Sequence, residues 1–278
     1  MTGAKTLASG GSSLDAVQAA VRLMEDSGVL NAGRGAVLNH EGFAELDAAL
    51  MEGRTRRTGA VAAVRHVANP IDLARAVMDK TPHVLLVGPG AEQFAQEQRV
   101  EWKPDSYFVT ERRRKELDKA IRKAAASNHQ ASDPSQPMGT VGAVALDMRG
   151  DLAAATSTGG VTNKHYGRVG DSALIGAGTY AENGVCAVSA TGAGEYFIRY
   201  AVAADLCARI KYQGQSIETA ARQVIAMLKA AGGEGGLIAI DQNGQFAMPH
   251  SSATMLRGQV TSASNPEVIV EVSRRARE

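Results

Sequence analysis

The sequence predicts an α+β fold in which β-sheets pack between layers of helices. Three observations carry that prediction. Residues 141–146 and 152–156 are two apolar runs separated by Asp147, Met148, Arg149 and Gly150, the pattern of a β-hairpin. Two amphipathic helical patterns lie further on, over 195–210 and 216–231. A second hairpin then pairs 237–240 with 245–248 across Asp241, Gln242, Asn243 and Gly244. Strands, then two helices, then strands again place helices against sheets.

From the N-terminus, residues 4–11 read as the tail of a helix closed by Gly10 and Gly11. Ser12 or Ser13 caps a helix running to about residue 27, with Leu14, Val17, Val21 and Met24 on one face. VLNAGRG, at 29–35, is a glycine-punctuated loop. Residues 44–51 alternate weakly and 59–66 alternate more clearly, so both are expected as strands. Pro70 suits the first position of a helix whose apolar face is Ile71, Ala74, Val77 and Met78. A short buried strand over 84–87 and a short helix over 91–98 follow. Lys, Arg and Glu cluster between 111 and 123 on a solvated helix, and 126–137 carries polar residues and two prolines, as a flexible linker does. Beyond the first hairpin, 185–190 is a strand. The helix over 195–210 turns Phe197, Ile198, Ala201, Val202, Leu206 and Ile210 inward. Ser216 caps the next helix, whose inward face is Ile217, Ala220, Ala221, Val224, Ile225 and Leu228.

Composition narrows the classes of function. The 278 residues make one large domain or two ordinary ones, and with 44% hydrophobic but only 4% aromatic residues the core must be Ala, Val, Leu and Ile. A net charge of +1 argues against nucleic acid or an anionic membrane as partner. The basic run Arg112, Arg113, Arg114 and Lys115 has no interleaved aromatics and reads as a solvated face. No apolar run reaches the ~18 residues of a membrane span, and residues 1–13 have no apolar core of a secretory signal. Cys186 and Cys207 lack metal-ligand spacing and are expected as buried thiols of a reducing cytoplasm rather than as a disulfide.

Chemistry gathers where the linker meets the first hairpin. Thr140 opens the strand GTVGAVALD. A threonine hydroxyl is a weak nucleophile without an adjacent base. A cut between Gly139 and Thr140 would supply one, the freed α-amino group of Thr140, whose reference pKa is near ~8. Gly-, Thr- and Ser-rich motifs follow at 156–160 (TSTGG), 167–172 (GRVGDS), 176–180 (GAGTY) and 191–195 (TGAGE). Hydrolysis of an amide needs a nucleophile, a base, oxyanion donors and a substrate anchor. Thr140 supplies the first two. The Thr191 hydroxyl and Gly192 N–H suit an oxyanion hole at a turn into a helix. Arg168 and Asp171 can take the α-carboxylate and α-ammonium of an amino acid, or can simply pair with each other. Their spacing alone does not choose.

The order GTVGAVALD, TSTGG, NK-x-x-GRVGDS, GAGTYA, TG-x-GE resembles the plant-type L-asparaginases, or isoaspartyl peptidases, of the N-terminal-nucleophile hydrolases. LNAGRGAVLN, ELDAALMEG and TGAVAAV extend the resemblance upstream and GGEGGLIAID downstream, colinear over most of the chain. It implies a four-layer αββα sandwich. It also implies self-cleavage into an α segment, residues 1–139 with a linker at about 111–139, and a β segment, residues 140–278, which together remain one domain. Two such pairs are expected to form a homo-oligomer, a dimer of αβ heterodimers. By motif, Thr140 is the implied nucleophile, with the Thr158 hydroxyl beside it. Arg168, Val169, Gly170 and Asp171 bind the substrate's α-groups, Thr191 and Gly192 form the oxyanion hole, Ala193 and Gly194 line the pocket, and Asn31 lies close by. No cofactor is implied for catalysis. A structural sodium ion is implied, held by backbone carbonyls of Met24, Glu25, Ser27, Leu30, Ala32 and Arg34. The implied substrates are L-asparagine and β-aspartyl dipeptides.

The pattern is broken in places. The family begins with a strand and a His-Gly-Gly loop that this sequence lacks, which leaves a strand edge uncovered. Ala173 stands where proline is common, and 249–255 departs in a loop that borders the pocket in relatives. Two other readings stand beside the leading one. The first is an unprocessed, inactive homologue. The second is a glycosylasparaginase, whose members tend to carry Asn at the position of Gly159 and a secretory signal.

Overall fold

Ser12 opens the first long helix by accepting the Asp15 N–H on its hydroxyl at 3.1 Å, which satisfies one of the free donors of the first turn. The computed structural model describes residues 2–127, 139–261 and 267–269. In it α1 (Thr2–Ala8) ends before Gly10, whose φ of +83° reverses the chain, and α2 (Ser13–Asp26) follows. A 3-10 turn at Gly33–Gly35 leads to β1 (Leu46–Glu52) and β2 (Thr58–Val64). Then come α3 (Pro70–Lys80), β3 (Leu85–Val87), α4 (Gly88–Glu97), α5 (Asp105–Phe108) and α6 (Glu111–Ser127). Residues 128–138, most of the expected linker, lie outside the described residues.

The second half is β4 (Val141–Leu146), β5 (Leu152–Thr158), β6 (Thr179–Glu182), β7 (Cys186–Gly192), α7 (Gly194–Arg199), α8 (Val202–Gln213) and α9 (Ile217–Ala230). β8 (Gly235–Asp241), β9 (Phe246–Ala247), β10 (Arg257–Gln259) and β11 (Glu267–Ile269) complete it. One sheet runs β3-β2-β1-β5-β4 and a second β6-β7-β8-β9. The two meet face to face through β4 and β5 against β7, while α2 and α3 cover the first sheet and α8 and α9 the second. This is the αββα sandwich. Aliphatic side chains fill the seam between the sheets, among them the small Ala154, Ala181 and Ala187 with Met51 and Leu152, which is how so few aromatics suffice. Among the described residues β4 is an edge strand, bonded to β5 only. Beside it runs an apolar groove of about 370 Å³ between Leu7, Val17, Met24, Ile238, Ile240 and Phe246.

Three expectations need correction, and one strand is added. The 84–87 strand is not buried: β3 is an edge strand, with Val84 and Val87 half exposed. The helix over 195–210 is two helices, α7 and α8, broken at Ala201, whose φ is +46°. The N–H groups of Ala203 and Ala204, in the first turn of α8, donate to Ala177 O at 3.1 Å and Gly176 O at 2.9 Å, so the preceding loop restarts the helix. Ile198 and Ala201 consequently face solvent, while Phe197, Val202 and Leu206 stay inside. Thr179 and Tyr180 open a further strand, β6, where the sequence reading places none. Finally, Cys186 and Cys207 are not free thiols. They form a disulfide across β7 and α8, both buried, with Cα atoms 5.8 Å apart. That pairing withdraws the thiols as a reason to place the chain in a reducing compartment. Among the described residues no helix is long and apolar enough to cross a membrane.

Candidate active site

Antiparallel pairing sets the nucleophile side of the site. Val141 on β4 lies opposite Ser157 on β5, so the next residues outward, Thr140 and Thr158, face each other. The Thr140 hydroxyl donates to Thr158 Oγ1 at 3.0 Å, and that oxygen also accepts the Gly160 N–H at 3.0 Å. Asn31 fastens the surroundings with four groups. Its N–H donates to Gly139 O at 3.1 Å and its carbonyl accepts the Gly159 N–H at 3.2 Å. Its side-chain Nδ2 donates to Gly160 O at 2.8 Å and its Oδ1 accepts the Val37 N–H at 2.9 Å. Glycine at 159 is a steric necessity, because a Cβ there would lie 2.7 Å from both Ala36 Cβ and Asn31 Oδ1.

The anchor side is built by loops. Arg168 and Asp171 do not pair with each other. Arg168 Nε bonds Glu195 Oε1 at 2.9 Å, and Asp171 Oδ2 is buried without a partner. Both side chains nevertheless converge on Gly194, where a Cβ would lie 2.8 Å from Arg168 Nη2 and 2.9 Å from Asp171 Oδ1. Gly170 lets the guanidinium fold back over its own loop, since a Cβ there would stand 2.8 Å from Arg168 Nη1. Val169 is half-buried in the same loop. Burial pushes the Asp171 carboxyl up to about 7, against the pull of its own backbone N–H and of Arg168. Burial acts to raise Glu195 as well, but its hydrogen bond to Arg168 and that charge bring it below the usual carboxylate range.

Thr191 and Gly192 end β7, directly before α7. The Thr191 hydroxyl oxygen is buried without a partner. The Ala193 N–H is taken by Glu234 O at 2.8 Å. The two sides of the site approach each other at Gly160: its N–H bonds Thr158 Oγ1, and a Cβ on it would stand 3.4 Å from Arg168 Nη1. The structure thus bonds Thr140, Thr158 and Asn31 together around Gly160 and places Arg168 beside that glycine, with Arg168 and Asp171 both beside Gly194.

Two charged residues have side-chain roles that the sequence reading does not give. Lys164 is buried, its Nζ donating to Glu45 O at 2.9 Å, and burial pulls its pKa down against the charges of Asp47 and Glu45. Its signal was the NK of the NK-x-x-GRVGDS motif. The Glu25 side chain is fully buried, with Oε1 accepting from Ser157 Oγ at 2.6 Å and from the Ile71 N–H at 3.2 Å. Burial raises it to about 8. Nothing in the local sequence announces that role. Around the expected sodium loop, Met24 O accepts the Ser27 N–H and hydroxyl, and Ala32 O accepts the Gly35 N–H. Gly33 and Gly35 keep the Glu25 and Leu30 carbonyl oxygens uncovered, since a Cβ on each would come within 2.7 and 2.2 Å of them. A set of carbonyl oxygens fits a hard cation such as sodium. Among the described residues no group of His, Cys, Asp and Glu could hold a metal ion.

The layered sheets and the threonine at the head of β4 define a protein of the N-terminal-nucleophile hydrolase fold. Residues 1–270 match the family described as Asparaginase, and the chain belongs to that family of hydrolases. It is 49% identical over 270 residues to the isoaspartyl peptidase of Escherichia coli (strain K12), an alignment that covers 95% of this chain and 84% of the relative. It is 46% identical over 254 residues to the isoaspartyl peptidase/L-asparaginase of Mus musculus, covering 91% of this chain and 77% of the relative. Against the Homo sapiens protein of the same description it is 46% identical over 250 residues, covering 90% and 80%.

Proposed function

We propose that the chain cuts itself between Gly139 and Thr140 and then hydrolyses L-asparagine and β-aspartyl dipeptides. The observation that carries this reading is the convergence of the Arg168 guanidinium and the Asp171 carboxyl on Gly194, with Gly160, which bonds the Thr140–Thr158 hydroxyl pair, beside that guanidinium. A cation and an acid around one side-chain-free spot suit the α-carboxylate and α-ammonium of an aspartyl group. The names of the relatives agree with that chemistry.

In the first stage the Thr140 hydroxyl attacks the Gly139 carbonyl carbon. The Asn31 N–H is already bonded to the oxygen that would gain the charge. The peptide nitrogen leaves as the new α-amino group, and water hydrolyses the ester. In the second stage that amino group takes the Thr140 hydroxyl proton as the oxygen attacks the β-carbonyl of the substrate. The Thr191 hydroxyl and the Gly192 N–H receive the oxyanion. Ammonia or an amino acid leaves, and water releases aspartate from the β-aspartyl ester. A sodium ion on the 24–34 carbonyls would hold the loop that carries Asn31, and two cleaved pairs would form the assembled enzyme. A glycosylasparaginase is the weaker reading, since position 159 has no room for a side chain.

The test is release of ammonia from L-asparagine and of leucine from β-aspartyl-leucine by purified protein. Both are expected from the wild type, and Thr140→Ala should lose roughly 10⁴-fold or more. Neither product from the wild type, or full activity in Thr140→Ala, overturns the reading.

A further inference from the structure

We infer that three buried hydroxyls, on Thr156, Ser189 and Thr179, clamp the two sheets together and thereby position the nucleophile against the oxyanion donors. The inference rests on the hydrolase reading above for the roles of Thr140 and Thr191. The three residues come from β5, β7 and β6, and their exposures are 0%, 4% and 0%. Thr156 Oγ1 and Ser189 Oγ are 2.6 Å apart, a bond between the two sheets. Thr179 Oγ1 lies 2.7 Å from Thr156 Oγ1 and 3.2 Å from Ser172 O, and Thr156 Oγ1 reaches Gly178 O at 3.3 Å. The protons balance if Ser189 and Thr179 each donate to Thr156 Oγ1, which has two lone pairs, and Thr156 donates to Gly178 O.

β4 enters the same junction at Gly142. Gly142 lies opposite Thr156 in the β4–β5 ladder, and a Cβ on it would fall 2.0 Å from Ser189 Oγ. The Ser189 hydroxyl therefore occupies the space a side chain at 142 would need. Strand geometry makes the junction functional. Successive residues alternate faces, so residues two apart share one. Thr140 is two residues from Gly142, Thr158 two from Thr156, and Thr191 two from Ser189. Each residue of the proposed chemistry projects from the same face as a member of the clamp, one pleat further along. The anchor joins as well, because the Gly178 N–H donates to Asp171 O at 3.1 Å.

Apolar side chains fill the rest of this seam, and a hydroxyl is costly there unless it is bonded. Alanine and valine would fill it with no such cost. What hydroxyls add is direction: contacts between alanines allow one sheet to slide on the other, whereas a chain of hydrogen bonds fixes the offset. The clamp residues touch no substrate and act through Thr140, Thr158 and Thr191.

The test uses Ser189→Ala, Thr156→Val, the double variant and the conservative Thr156→Ser, with Val144→Ala as a purely apolar change in the same seam. Activity on L-asparagine is expressed per new Thr140 N-terminus, so that incomplete self-cleavage does not count as slow catalysis. Ser189→Ala and Thr156→Val are expected to lower kcat by roughly ten- to a hundredfold, the scale of a misplaced reacting group. KM should stay within about twofold and Thr156→Ser near wild type, and the double variant should be no worse than the poorer single. Wild-type kcat in both single variants overturns the clamp, as does an equal fall in Val144→Ala at a matched loss of Tm. A wild type that releases no ammonia instead defeats the hydrolase reading. The clamp is then judged by Tm alone: non-additive losses in the double variant sustain it, and additive losses overturn it.

Discussion

The two sides of the candidate site are built on opposite terms. On the nucleophile side the ladder between β4 and β5 fixes the backbone, and Asn31 engages both its backbone and its side-chain polar groups. On the anchor side, loops carry Arg168 and Asp171, and three buried oxygens, Asp171 Oδ2, Ser172 Oγ and Thr191 Oγ1, have no partner among the described residues. A buried polar group left unbonded costs about 1–3 kcal/mol. The difference teaches which half is complete in the folded chain and which half a ligand completes. A bound aspartyl group would supply an ammonium to Asp171 and an oxyanion to Thr191, two of the atoms the fold leaves open.

Arg168→Lys breaks the comparison on the ligand-completed side. A lysine keeps the charge but loses the fork that grips a carboxylate. We expect kcat/KM for L-asparagine to fall on the order of 10²-fold, the loss of about 3 kcal/mol of charge-assisted hydrogen bonding, while self-cleavage proceeds at the wild-type rate. Equal slowing of both steps would mean that Arg168 supports the nucleophile side too.

A smaller effect sharpens the same contrast through pH. Burial holds Asp171 at about 7 in the folded chain, above its usual value, so the group is neutral below that pH and charged above it. Only the charged form attracts an ammonium. The expected profile of kcat/KM therefore rises through about pH 7. The profile of kcat should show that step at lower pH, because bound ammonium favours the ionised carboxylate. The sign for stability is opposite: a carboxyl raised on folding weakens the free protein as pH climbs from its unfolded value to about 7. Saturating L-aspartate should relieve that loss, read as a larger ligand-induced rise in Tm at pH 8 than at pH 5.

The regions of the molecule that could be read from sequence are those determined by local pattern. α2 and α9 follow from serine caps and apolar spacing, and all six inward residues of α9 are buried. The break between α7 and α8 could not be read, because the acceptors that restart the helix are carbonyls of a distant loop, at Gly176 and Ala177. The disulfide likewise depends on α8 packing against β7, which two cysteines 21 residues apart do not reveal. In the site, Thr140, Thr158, Arg168, Asp171 and Thr191 stood out because each sits in a dense motif. Glu25 under Ser157 and the hydroxyl junction of Thr156 with Ser189 were invisible, and of Lys164 only the NK of its motif showed, not its bond to Glu45. Each is a contact between residues far apart in the chain whose types are ordinary where they stand.

The central claim is that Thr140 is a nucleophile released by its own cut. Denaturing electrophoresis of the purified protein, with the mass and N-terminal residue of each fragment, tests it directly. The account predicts two fragments for the wild type, one beginning at Thr140, and a single chain for Thr140→Ala. A wild-type chain still whole after long incubation contradicts it.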